Sequence, residues 1–263
     1  NESTISHTEF IDSVYEVVEV LFRGEDILEP EIRVSHPIKG RIPSAMGKPA
    51  NSLLEHEKTL YYERMAFSIQ LPGIRHEING NSCALTIGGV RAYNQENLYS
   101  KKTEEKFKVF IGFQNFVCTN LCVSTDGFLS GLKARSVHQI AEETLKLIES
   151  YNMEADLRKF RALSESRVSR DEFIDFLGMA KIYHQLKPED KLGLPKLPLG
   201  ESQLSTVARD YCYDPHFKAD QDGSVDGWRL FNLFTNANKS SYIDTFLERN
   251  VECLDLAERV VNR

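Results

Sequence analysis

The sequence predicts an α+β protein: an N-terminal helix, an antiparallel β-meander, then a mostly α-helical C-terminal half. Three observations predict it. Apolar residues recur at helical spacing up to residue 21, alternate with period two between residues 64 and 113, and return to helical spacing from Ser136 onward. Strands grouped first and helices grouped after them give an α+β chain rather than an alternating βαβ one. The expected organisation is an α+β domain with an antiparallel sheet over residues 1–135, and a helical region, 136–263, packed on it.

The first helix is announced by Ser6 and Glu9, which have capping-box spacing. Phe10, Val14, Val17 and Leu21 then mark one helical face, and Gly24 ends it. Ile32 and Val34 alternate with charged residues among Pro30, Pro37 and Pro43, which predicts an edge strand with loops. Residues 44–58 predict a loop with one helical turn. Met65, Phe67, Ile69 and Leu71 alternate with more polar residues, as in a half-buried strand. Asn79-Gly80 is a hairpin signal, and Leu85, Ile87 and Val90 form the return strand. Gly88-Gly89 inside that strand predicts a bulge or a close backbone approach. After a polar loop, Phe107, Val109, Ile111 and Phe113 complete a three-stranded meander within residues 60–118.

About six helices follow. Ser136/Gln139 and Ser169/Glu172 are capping boxes, the first ahead of Ile140, Thr144, Leu147 and Tyr151. The second opens a helix with Phe173, Phe176, Leu177, Ala180 and Tyr183 on its face, stopped by Lys187-Pro188. Residues 187–200 hold three prolines and two glycines and predict a loop. Leu204, Val207, Ala208 and Tyr211 predict a short helix. Asp226 caps one carrying Trp228, Phe231 and Phe234. Ile243, Leu247, Val251, Leu254, Ala257 and Val261 line the last.

The composition, 41% apolar and 27% charged over 263 residues, is that of a globular protein able to bury a sizeable core. No apolar run approaches the roughly 18–20 residues that span a bilayer. NESTISHTEF lacks the apolar stretch of a signal peptide. Five scattered cysteines are not a disulfide framework and point to a reducing cytoplasm.

Few constellations suggest chemistry. Cys118 and Cys122 have no second close pair and no suitably spaced histidines, so no metal site is expected. Asp220, Asp222 and Gly223 imitate part of a calcium loop. Lys218 and Arg229 would occupy its two charged ligand positions, so a polar turn leading to the cap at Asp226 is expected instead. Glu189-Asp190-Lys191 echoes the acidic-x-Lys fragment of nucleases but sits in a loop. Phosphate loops and hydrolase elbows are absent. A hydrolase built on Cys118, Asn120 and Asp126 is a minor alternative. No cofactor, metal or catalytic residue is assigned, and the chain is expected not to be an enzyme.

The charge is uneven. The net charge is −7, yet residues 75–135 carry eight basic against five acidic residues. This segment interleaves Arg75, Arg91, Lys101, Lys102, Lys106 and Lys108 with Tyr93, Tyr99 and Phe110. Cations neutralise phosphates and exposed aromatics stack bases, the usual means of binding single strands. The expected partner is therefore single-stranded nucleic acid, with the six cations on phosphate and the three aromatics on bases. The alternative is a protein-interaction factor that uses the acidic helical half to modulate a host or element-encoded protein.

LTIGGVRAYNQENLYSKK (85–102), FKVFIGFQNFVCTNLCVSTDG (107–127), ARDYCYD (208–214) and WRLFNLFTNANKSSYIDTFLERN (228–250) resemble an uncharacterised bacterial family of gut-type anaerobes. More distantly, FVCTN and the WRLFNLFTNAN block are similar to the phage- and plasmid-like protein family. Phe116 stands where that family has arginine, so no role of that arginine is carried over. This resemblance implies residence on mobile elements and transfers no catalytic residue. The order helix, three antiparallel strands, helix also looks like the core of single-strand annealing proteins, a likeness of fold alone.

Overall fold

A computed structural model describes residues 5–36, 38–45, 47–92 and 104–262. The first helix, α1 (His7–Leu21), starts on the predicted capping box: Ser6 Oγ accepts from the Glu9 amide at 3.1 Å, and Glu9 accepts from the Ser6 amide at 2.7 Å. Phe10, Val14 and Val18 form its fully buried edge, while Val17 and Leu21 are only half-buried.

The main sheet has the order β1–β4–β5–β6–β7, with β8 also pairing with β6. Its strands are β1 (Glu31–Val34), β4 (Arg64–Ile78), β5 (Asn81–Ala92), β6 (Glu105–Asn115), β7 (Leu121–Cys122) and β8 (Phe128–Ala134). Strands β2 (Ile38–Arg41) and β3 (Lys58–Tyr62) form a separate hairpin. Three 3₁₀ turns lie between them, where one helical turn was expected. The β4–β5 hairpin closes on Asn79 (φ +48°) and Gly80 (φ +74°), the left-handed pair that a tight two-residue hairpin requires. Its register shifts between Leu71 and Arg75, where Pro72 can donate no ladder hydrogen bond.

Gly89 is required by packing. A Cβ there would lie 2.5 Å from the Phe10 ring, which packs on Phe67 and Phe107 with centroids at 5.2 and 4.8 Å. The expected three strands are thus present. The sheet is wider than the alternation predicted, because β7 and β8 are short and Ser130-Gly131 within β8 resembles a turn.

The second half contains α2 (Val137–Ser150), α3 (Met153–Glu165), α4 (Arg170–Gln185), α5 (Glu201–Tyr213), α6 (Gly227–Asn238) and α7 (Phe246–Val261). A two-residue pair, β9 (Arg167–Val168) with β10 (Val225–Asp226), precedes α4 and α6. At α2 the box is altered: Ser136 Oγ caps Gln139, but Gln139 Oε1 accepts from the Arg135 amide at 2.7 Å. Nearly every residue of α6 is buried, so it is the central helix.

One hydrophobic core runs from Ile5 to Val260 and joins the two expected segments. Phe113 of the sheet meets Phe160 edge-on at 6.3 Å, and Phe160 stacks on Phe231 at 6.0 Å. The hairpin tip is tied to α6 as well: Trp228 Nε1 donates to Asn81 Oδ1 at 2.8 Å, and Asn79 Nδ2 donates to Asp226 Oδ2 at 3.1 Å. A second cluster, Val90, Phe110 and Val123 under Leu247 and Val251, fills the opposite face of the sheet. That face is therefore covered by α7.

Candidate functional site

The cover supplied by α7 takes up two of the predicted nucleic-acid residues, Phe110 and Lys108. Phe110 is fully buried beneath α7, so it cannot stack a base in this structure. Arg91 is 2% exposed, ion-paired with Glu105, and lies over the Phe107 ring at 4.7 Å. A guanidinium so enclosed is a core cation and not a phosphate contact. Lys108 is half-buried, pairs with Glu248 and donates to the Asp244 carbonyl. Arg64 pairs with Asp244 at 2.7 Å. The two cations on the sheet thus hold the start of α7.

Arg75 and Lys106 are exposed. Arg75 pairs with Ala84, which pairs with Gln114, whereas Lys106 lies eight residues earlier on the same strand as Gln114. At about 3.4 Å per residue this is roughly 27 Å, well beyond the Debye length of about 8–10 Å. The two do not form one basic groove. Tyr93, Tyr99, Lys101 and Lys102 lie outside the described residues.

The Cys-Thr-Asn turn after β6 is a tight polar junction. Thr119 has φ +56°, a left-handed conformation that costs a β-branched residue about 1–3 kcal/mol. The turn is held from below by Asn232 of α6. Asn120 Nδ2 donates to the Asn232 carbonyl at 3.1 Å and to its Oδ1 at 3.2 Å. Asn115 Nδ2 and Cys118 Sγ reach the same Oδ1 at 3.4 and 3.7 Å. Asn232 Nδ2 in turn donates to the Trp228 carbonyl at 2.9 Å.

Burial pushes the Cys118 thiol up, an effect partly offset by the Asn120 amide and the Lys239 charge. A thiolate is the nucleophilic form of cysteine, and this setting disfavours it. Cys83 is pushed up to about 12, also by burial. Asp126 is exposed and faces Lys159 at 3.8 Å. Among the described residues, no group of three or more His, Cys, Asp or Glu side chains could hold a metal ion. The calcium-like turn is neutralised from within: Asp220 accepts from Arg167 at 2.6 Å and from Arg229 at 2.8 Å. Asp226 caps α6 by accepting from the Arg229 amide at 2.8 Å.

The helical half presents a different feature. An apolar groove of about 520 Å³ runs between α4, the loop 194–197 and the C-terminal end of α7. Met179, Ile182 and Leu194 line it and are 46%, 63% and 47% exposed. The charged residues among its described lining are Lys196 and Arg259, both cationic. Sequence reasoning placed α4's apolar face on Phe173, Phe176, Leu177, Ala180 and Tyr183; Phe173, Phe176 and Ala180 are buried, and Leu177 and Tyr183 are half-buried. The remaining apolar residues of that helix, Ile174, Met179 and Ile182, were the signal that a second face exists.

Among the described residues, no helix is long and apolar enough to cross a membrane. Neither the curated proteins nor the solved structures provide a match to this chain. A family match covers residues 1–262, and its description reads "Domain of unknown function, B. Theta Gene description". The chain belongs to this family, DUF3871.

Proposed function

We propose that the protein is a non-enzymatic interaction factor whose groove between α4 and α7 receives an amphipathic segment of a partner protein. The observation that carries this is the groove itself, with Met179, Ile182 and Leu194 left open to solvent. Covering such half-exposed side chains yields about 1 kcal/mol each, and an amphipathic helix laid in a groove is a common way to do so. Arg259 at the groove, with Lys196 beside it in an ion pair with Glu252, favours a segment with an acidic residue beside its apolar anchors. The mobile-element resemblance supports a host or element-encoded protein as the partner. The five cysteines, all free, support a reducing compartment.

Panning a library of displayed helical peptides tests the reading. Enriched peptides should carry apolar residues at i, i+4 and i+7 with acidic flanks. They should bind the native protein and not Ile182→Asp. An absence of enrichment, or equal binding to the variant, would sink it.

Single-stranded nucleic acid is the second reading. Lys106 stands directly opposite Lys133 in the β6–β8 ladder, and Arg135 is exposed two residues further along. Fluorescence anisotropy with a labelled oligonucleotide should then show binding that weakens steeply with salt and is lost in Lys106→Glu/Lys133→Glu. Binding that survives both changes would rule this edge out.

A further inference from the structure

Strand β1 is the outer strand of the main sheet. It pairs with β4, and among the described residues no strand pairs with its other edge. All four of its residues are exposed, Ile32 to 50% and Val34 to 53%. The register decides which backbone groups point outward. Ser35 N donates to the Arg64 carbonyl at 2.8 Å, continuing the ladder in which Val34 pairs with Met65. Inward and outward bonding alternates along an antiparallel strand, so Arg33 and Glu31 bond toward β4 as Ser35 does. The N–H and C=O groups of Ile32 and Val34 therefore face the open edge.

The side chains divide by the same alternation. Ile32 and Val34 stand opposite Phe67 and Met65, on the face where Phe67 packs on Phe10 of α1. Glu31 and Arg33 stand opposite Ser68 and Ala66, on the face that α7 covers further in. There the two charges pair with each other at 2.7 Å. Burial lowers the Lys239 pKa and the Arg33 charge lowers it further, so Arg33 has a second cation nearby.

Native sheets often protect an open edge with charges, because like charges repel an incoming strand. On β1 the two charges have opposite signs and flank Ile32, which makes the edge complementary to itself. Let two copies pair antiparallel about a two-fold axis through Ile32. The two Ile32 residues then exchange both N–H···O bonds. Glu31 of each copy faces Arg33 of the other in the non-hydrogen-bonded position, where Cα atoms are about 4.5 Å apart and side chains approach closest. Moving the register by two residues either way would set Arg33 on Arg33 or Glu31 on Glu31, so charge selects one register.

We propose that β1 is a dimer edge, on which a second copy of this chain pairs about Ile32 and joins the two main sheets into one. The contact is isologous, as a closed two-fold dimer requires. The Ile32 side chains of both copies meet on the α1 face and lose exposure, while Glu31 and Arg33 of both copies alternate in sign on the other. None of the residues lining the groove between α4 and α7 lies on this edge, so pairing here and docking there are independent.

A four-residue edge makes a contact of the weak class, below about 1,200 Å². Sedimentation velocity from about 10 µM to about 1 mM therefore tests it. The native full chain, 30.0 kDa, should shift toward twice its mass as concentration rises. Arg33→Glu and Glu31→Arg should each weaken association at least about tenfold, with the circular dichroism spectrum unchanged because both positions are exposed. An equimolar mixture of the two variants should regain the native association, since opposite charges then face each other at both positions. A native chain that stays monomeric across this range would overturn the dimer. Association undiminished in both variants, or not regained in their mixture, would overturn β1 as its seat.

Discussion

Asn232 is the residue on which the Cys-Thr-Asn turn depends. It is fully buried, and its amide joins α6 to Asn115, Cys118 and Asn120. Asn232→Ala would strand several buried polar groups, each costing about 1–3 kcal/mol. A loss of about 3 kcal/mol is expected in urea denaturation, with Tm lower by roughly 10 °C. Thr119 is the opposite case. Thr119→Gly frees a left-handed position from its side chain and should raise stability by about 1 kcal/mol. A destabilised glycine variant would show that the Thr119 side chain contributes more than its backbone strain costs.

Asp220 gives a pH signature. Arg229 first, and then Arg167, hold its carboxyl at about 2, below the ordinary 3.8. The folded value lies below the unfolded one, so this contribution is fully present above about pH 3.8 and is lost as pH falls through about 2. A Tm profile from pH 6 to pH 2 should fall less steeply for Asp220→Asn than for the native chain. Parallel profiles would remove Asp220 from the acid limb.

At the scale of elements, β5 is the tightest part of the sheet. A Cβ on Gly88 would lie 2.1 Å from the Phe67 carbonyl oxygen and 2.8 Å from the Phe110 ring. Gly88→Ala is expected to cost about 2–3 kcal/mol, since backbone and a buried ring must both move. Unchanged stability would mean that β4 and α7 can shift together. The pair Gly88-Gly89 was legible in the sequence for this physical reason: an unneeded glycine in a strand weakens it.

Capping boxes at Ser6 and Ser169 and the Asn79-Gly80 hairpin were legible too, because each is a local rule satisfied by adjacent residues. The second face of β6 was not. Alternation identifies that Lys106, Lys108 and Phe110 share a face, but not that α7, more than 130 residues later, lies on it. Of the described residues in the predicted basic and aromatic surface, Phe110 and Lys108 are taken up by that long-range contact. Arg91 entered the core through Glu105, and Lys108 anchored α7.

Across the whole molecule, one core unites the sheet with the helices, so the apolar residues left over at the surface are informative. Most exposed apolar residues on a folded protein need no explanation. Met179, Ile182 and Leu194 differ because they share one groove with cationic lining on an acidic chain. Replacing an exposed residue of this kind normally changes stability by less than about 0.5 kcal/mol. Ile182→Asp should therefore leave Tm nearly unchanged while abolishing partner binding.

The most direct measurement places a photo-crosslinking amino acid at position 182, and at exposed Glu149 as a control, in the native cells. The account predicts one predominant adduct with a different protein at position 182, absent at 149 and lost when Leu194 is changed to Asp. An adduct only with a second copy of the chain, or the same adducts at both positions, would contradict it.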